Sequence, residues 1–214
     1  MLKADFHIHT KFSMDCHNEL EEISQRCQQL GINCINICDH DATEGAFKLK
    51  EIAPFKVIVG EEVLTPAGEV MGMFLKERIA SGLSVERAID AIRAQGGLVC
   101  IPHPFDTIRG LRLTAAEFER IIPNVDIIEV FNARCRFNSF NKHAGEFAAK
   151  HQLAGSAGSD AHSIGEIGNV LVELPDFNTP EDFLKSLKLA KISGKQSSPF
   201  VHFHSTWAKI KRAF

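Results

Sequence analysis

The chain has 214 residues, with 24 Lys+Arg against 27 Asp+Glu and a formal net charge of -3. That length suits one domain, and 44% hydrophobic with 24% charged residues is ordinary globular composition, which excludes disordered, collagen-like and coiled-coil chains. The slight acidity excludes bulk nucleic-acid binding through a basic face.

Short runs rich in Val, Ile and Phe alternate with helix-like stretches. Residues 2–8 (LKADFHI) open the series as a strand. Asn18, three residues before Glu21, has capping-box spacing and predicts a helix start. Strands follow at 33–38 (NCINIC) and 56–60 (FKVIV), then at 69–75 (EVMGMFL) after a Pro66–Gly68 turn. Val85, Ala88, Ile89 and Ile92 recur at helical spacing before a strand at 98–101 (LVCI). Thr114 precedes Glu117 as a second capping box, and 126–131 (DIIEVF) and 153–157 (LAGSA) are further strands. Thr179–Pro180 reads as an N-cap with Pro at the first helical position. Such alternation makes an α/β fold with parallel strands, either an open doubly wound sheet or a closed barrel. The segment 193–199 (SGKQSSP) is the expected boundary between a domain at 1–192 and a tail at 193–214.

No run reaches the ~20 apolar residues of a transmembrane segment, and Asp5, His7 and His9 break any apolar signal core at the N-terminus. Six cysteines without CxxC spacing read as reduced thiols in a cytoplasmic protein. Residues 9–15 (HTKFSMD) contain no glycine, so the first strand does not open a dinucleotide-binding loop. No Walker A loop and no GxSxG elbow occurs.

Chemistry concentrates at the predicted strand ends. His7 and His9 fall on one strand face by period-two alternation, which suits two nitrogens on one metal ion, with Asp5 as an acceptor behind them. Asp39–His40–Asp41 follows the second strand and Gly60–Glu61–Glu62 the third. Pro102–His103–Pro104 follows LVCI, and Gly158–Ser159–Asp160–Ala161–His162 follows LAGSA. In a parallel barrel or sheet all these ends share one face. Histidines and carboxylates gathered there need a cation between them.

The series D-F-H-I-H-T, S-M-D, C-D-H-D, G-E-E, P-H-P and G-S-D-A-H resembles the PHP (polymerase and histidinol phosphatase) family. The resemblance implies a distorted (β/α)7 barrel holding two or three divalent ions (Zn, Mn or Fe) at the C-terminal strand ends, and hydrolysis of phosphate esters. It assigns His7, His9 and Asp160 to a first ion, Glu62 as the bridge to a second, His103 to that second ion, and Asp15, His40 and His162 to a third. Glu61 points the other way along its strand. The remaining second-site position falls in the stretch after Ile128–Glu129–Val130, where Cys135 is the candidate thiolate; a buried, unliganded thiol is the alternative reading.

Arg134 and Arg109, in the loops after the I-E-V and H-P-F strands, are the candidate phosphate receptors. Phe12, Phe105 and Phe137 are candidates to stack on a base or ring. His17, His143 and His151 read as surface residues in helix-like segments, and the second HxH, His202 and His204, reads as structural. The basic tail from Trp207 to Phe214 suits a short helix packed on the barrel or on a second subunit.

The expected reaction is attack on phosphorus by a hydroxide bridging the ions, with Asp160 or His162 passing a proton to the leaving group. A binuclear amidohydrolase also begins with HxH but wants a mid-chain bridging lysine where Glu62 stands here. An inactive accessory module is the third reading. The expected partner is a small phosphorylated substrate, including a nucleotide or short oligonucleotide.

Overall fold

The computed structural model describes residues 1–198. Nine strands form one sheet: β1 (Leu2–Ile8), β2 (Cys34–Ile37), β3 (Lys56–Thr65), β4 (Gly68–Met73), β5 (Leu98–Ile101), β6 (Ile127–Asn132), β7 (Ala154–Gly158), β8 (Val170–Leu174) and β9 (Lys191–Gly194). The helices are α1 (Leu20–Leu30), α2 (Glu44–Ile52), α3 (Val85–Ala94), α4 (Ala115–Ile121), α5 (Asn138–His151) and α6 (Pro180–Leu187). The sheet order is β7-β6-β5-β4-β3-β2-β1-β8-β9. Its two ends approach where Ile8 bridges Ala161 in parallel, Asp160 N–H donates to His7 O at 2.8 Å and His9 N–H donates to Ala161 O at 3.1 Å. The result is a nearly closed barrel of β1–β7.

Strict β/α alternation fails at one place. β3 continues beyond Gly60, where the sequence pattern ends it, as far as Thr65, and turns back as an antiparallel hairpin with β4, without an intervening helix. The barrel therefore departs from regular (β/α)7 alternation: one of its seven strands is antiparallel to its neighbours. β8 and β9, unread in the sequence, extend the sheet from the N-terminal half of β1. The expected boundary at 193 falls inside β9, and Lys195 N–H and Ser197 N–H donate to Asn169 O and Ala133 O.

Two apolar layers hold this frame. Ile35, Ile37, Val57, Val59, Val63 and Val70 pack outward against the buried stripes of the helices, as with Val85, Ala88, Ile89 and Ile92 of α3. Ala4, Phe6, Ile58, Met71 and Met73 fill the barrel interior. α6 closes its N-terminal end, with the Phe183 ring 5.1 Å from Phe6 and 5.3 Å from Phe74. Thr179 caps α6 by accepting from Asp182 N–H, and Thr114 forms the full capping box of α4. Asn18 does not cap α1. Its side-chain amide instead donates to His9 O at 3.1 Å, tying the loop after β1 to the strand end. Among the described residues no helix is long and apolar enough to cross a membrane.

Candidate metal centre

Every strand-end motif converges at the C-terminal mouth of the barrel. β1 carries one extra residue relative to β2 between Asp5 and Ile8, a bulge that changes which side chains face inward. Ala4 and Phe6 belong to the interior layer, whereas Ile8 belongs to the outer one. His7 and His9 consequently share the inner face, but Asp5 does not join them. Its carboxylate accepts from the N–H groups of Ser159 (2.8 Å) and His7 (3.3 Å), and burial pushes its pKa up to about 7. The acceptor behind His7 is Glu129, 2.9 Å from Nδ1; its other oxygen accepts from His103 N–H at 2.8 Å. That contact directs His7 Nε2 into the centre.

Glu62 stands at the hub. Oε2 lies 3.4 Å from His7 Nε2, 3.5 Å from His9 Nε2 and 3.3 Å from His40 Nδ1, while Oε1 lies 3.0 Å from His103 Nε2. Burial alone would raise its pKa, but His7 and His40 hold it well below the usual carboxylate range. Glu61 points away, as alternation requires, and accepts from Ile79 N–H at 2.8 Å.

The donors fit metal ions. Among His7 Nε2, His9 Nε2, Glu62 Oε2 and Asp160 Oδ1, five pairs are separated by 3.1, 3.4, 3.5, 3.6 and 3.4 Å. A tetrahedral ion with bonds of about 2.0–2.1 Å requires donors about 3.3 Å apart. Two imidazole nitrogens 3.1 Å apart cannot both carry protons, and a shared cation resolves that conflict. A second set is Asp15, His40 and His162, with Asp15 carboxylate oxygens 3.6 Å from His40 Nε2 and 3.2 Å from His162 Nε2. His162 Nδ1 lies 2.9 Å from Asp160 O and 2.7 Å from an Arg134 terminal nitrogen, while Nε2 is the nitrogen that faces Asp15. Burial opposes charge on His40, yet Glu62 and Asp15 raise its pKa to about 9.

The third set is where sequence reading and structure part. His103 meets Glu62 and also Glu69, whose Oε2 is 3.2 Å from His103 Nε2 and has no hydrogen-bond partner. Cys135 is buried but joins none of the groups of three or more converging donors among the described residues; Cys38, unsuspected, converges with His7 and His9. Glu69 escaped notice because it lies on the returning hairpin strand. Its pairing with Leu64 puts it on the face of Glu62, and burial beside that carboxylate pushes its pKa up to about 7.

Both arginines are engaged. Arg109 is partly exposed and donates to Asp160 Oδ2 and to Asp106 Oδ2, the latter at 3.1 Å. Burial alone would raise the Asp160 pKa, but Arg109 and His7 hold it well below the carboxylate range. Arg134 is buried, with Nε 3.2 Å from Glu166 and a terminal nitrogen 2.7 Å from His162 Nδ1. Asn132 donates to Glu129 and Asp160.

Of the candidate stacking rings, Phe105 packs inward with His143 (3.9 Å) and Phe147 (5.4 Å), Phe12 lies 4.6 Å beneath Lys48 Nζ, and Phe137 is exposed. His17 and His143 are exposed and His151 half-buried; His17 lies in a loop before α1. His202, His204 and the tail lie outside the described residues.

Comparison with known proteins places this geometry. A family profile described as PHP-associated matches residues 138–192, from α5 into β9. An uncharacterized protein of Methanocaldococcus jannaschii, MJ0417, is 36% identical over 198 residues, covering 88% of this chain and 80% of the relative. A two-domain protein from Bacteroides vulgatus, containing a predicted PHP-like metal-dependent phosphoesterase, superposes with TM-score 0.75 at 16% identity over 91% of this chain. The match covers 65% of that longer protein. An amidohydrolase from Chromobacterium violaceum, crystallised with sulfate and no metal, superposes with TM-score 0.60 at 14% identity, covering 95% of this chain and 96% of its own. The chain thus shares the fold of a PHP-like metal-dependent phosphoesterase, and a PHP-associated profile matches its residues 138–192.

Proposed function

We propose that the protein is a metal-dependent phosphoesterase, a hydrolase of small phosphate esters working with two or three divalent ions of zinc, manganese or iron. The observation that carries this reading is the Glu62 carboxylate, whose two oxygens face different donor sets. Bound ions supply charge neutralisation for the phosphoryl oxygens and an activated water.

The protein's own groups do the rest. Arg109 is the phosphate receptor: it is permanently charged, partly exposed at the mouth and already oriented by Asp106 and Asp160. Arg134, paired with Glu166 and set against His162, positions that imidazole. Asp160 or His162, 3.4 Å apart at the centre, passes a proton to the leaving oxygen. Buried, free thiols at all six cysteines support a reducing compartment, the cytoplasm. The amidohydrolase reading draws on the similar Chromobacterium violaceum fold, but Glu62 stands where that chemistry wants a bridging lysine.

A panel of phosphate monoesters, diesters and amides, each assayed with Mn²⁺, Zn²⁺ and Fe²⁺, tests the proposal. Release of phosphate or alcohol from esters supports it; hydrolysis confined to amides overturns it. Arg109→Met should raise KM for the ester more than it lowers kcat.

A further inference from the structure

A second feature lies toward the end of the barrel opposite the metal centre, beside the α6 closure. A cavity of about 650 Å³ lies against the start of β3 and the end of β4. Its wall includes Lys50, Lys56 and Lys76 and the rings of Phe55, Phe74 and Phe177. Lys56 is the first residue of β3 and Glu62 is six residues on, so about 20 Å of strand separates this cavity from the hub of the metal centre.

Three features mark it as more than a surface dent. Its size falls within the ~300–1,000 Å³ of small-molecule sites. Its charge is lopsided: Lys56 pairs with Asp176, whereas Lys50 and Lys76 have no ion pair among the described residues. Its floor is aromatic and built under strain. Phe74 holds φ 61, a left-handed conformation uncommon for a bulky residue, and this places its ring 6.1 Å from Phe177. Phe177 in turn carries Lys56 Nζ 4.3 Å above its face.

We propose that this cavity is a second binding site, for a small anion attached to a planar ring. The ring would lie against Phe55 and Phe74, and the anionic group would meet Lys50 and Lys76, which have no ion pair among the described residues.

The test uses the whole, metal-loaded protein and the probe 1-anilinonaphthalene-8-sulfonate, an aryl anion with no phosphoester to hydrolyse. Fluorescence titration is expected to saturate at one probe per chain. The double variant Lys50→Gln/Lys76→Gln, two exposed positions, should weaken binding about fivefold or more without changing the thermal midpoint. Phe55→Ala should weaken it as well, and Glu62→Gln should leave it unchanged. Non-saturating binding, an effect under twofold from the lysine changes, or loss of binding in Glu62→Gln would each overturn the proposal. The last outcome would place the probe in the metal centre instead, so this test fails independently of the phosphoesterase reading.

Discussion

Replacing Glu62 by Gln preserves shape and removes one negative charge from the hub. That charge lies 3.0–3.5 Å from nitrogens of His7, His9 and His103, which are buried, and of His40, which is partly buried. Breaking a buried ionic pair by removing one partner costs about 3–5 kcal/mol. At about 1.4 kcal/mol per factor of ten, this amounts to two to four powers of ten in affinity for the ions Glu62 shares. The control is one residue away. Glu61→Gln keeps an oxygen for Ile79 N–H and touches no ligand, so metal affinity should change by less than about threefold. Isothermal titration of the chelated proteins with Zn²⁺ reads both variants, and circular dichroism verifies that each is folded. Equal losses in the two variants would refute the inward assignment of Glu62.

The second-site assignments separate in the same assay. Glu69→Gln should remove one bound ion or weaken it at least tenfold, whereas Cys135→Ser should leave stoichiometry intact; the reverse result would restore the thiolate. Gly158 lets β7 reach β1: an added Cβ would run into His7 Cβ and stand 2.6 Å from His7 N. Gly158→Ala should therefore lower stability by about 1–3 kcal/mol or more, seen as a lower thermal midpoint, together with weaker metal retention. A wild-type midpoint would contradict the tight closure. Burial raises the folded-state pKa values of Asp5 and Glu61 to about 7, above the ordinary carboxylate values of the unfolded chain. The folded state then holds protons the unfolded state has released, so metal-free stability should fall as pH rises from about 4 to 7. Glu61→Gln should flatten part of that slope in thermal melts, and an unchanged slope would argue against the burial of Glu61.

Much of the centre was legible because its residues recur at strand ends, and β/α alternation puts all such ends on one face. His7, His9, Glu62, His103, Asp160, Asp15, His40 and His162 needed only that rule and the family motifs to be brought together. What escaped depends on pairing that no local pattern encodes. Glu69 reaches the site through the register of the β3–β4 hairpin, with Glu69 opposite Leu64. Asp5 was placed by strict alternation, which the bulge in β1 breaks. A second bulge between Glu129 and Phe131 lets Glu129 and Asn132 both reach the interior, and single-sequence periodicity gives no sign of it. Asn18 has a capping residue's identity and spacing, but the carbonyl of His9 competes for its side chain. Arg134 reads in sequence as a phosphate receptor; its pairing with Glu166 is hidden because that partner is far along the chain, beyond α5 and β7. β8 (VLVEL) carries a legible apolar run that the strand series passed over, whereas β9 (KISG) is exposed throughout and gives no apolar signal.

If the centre around Glu62 is the catalytic one, bound ions and hydrolysis are inseparable. The most direct measurement titrates chelated protein with Mn²⁺, Zn²⁺ or Fe²⁺ while recording bound metal per chain and the turnover of an ester found active in the panel. Turnover should be negligible in chelator and rise to a plateau as two to three ions bind. Full turnover with under one metal per chain would contradict the metal-dependent mechanism.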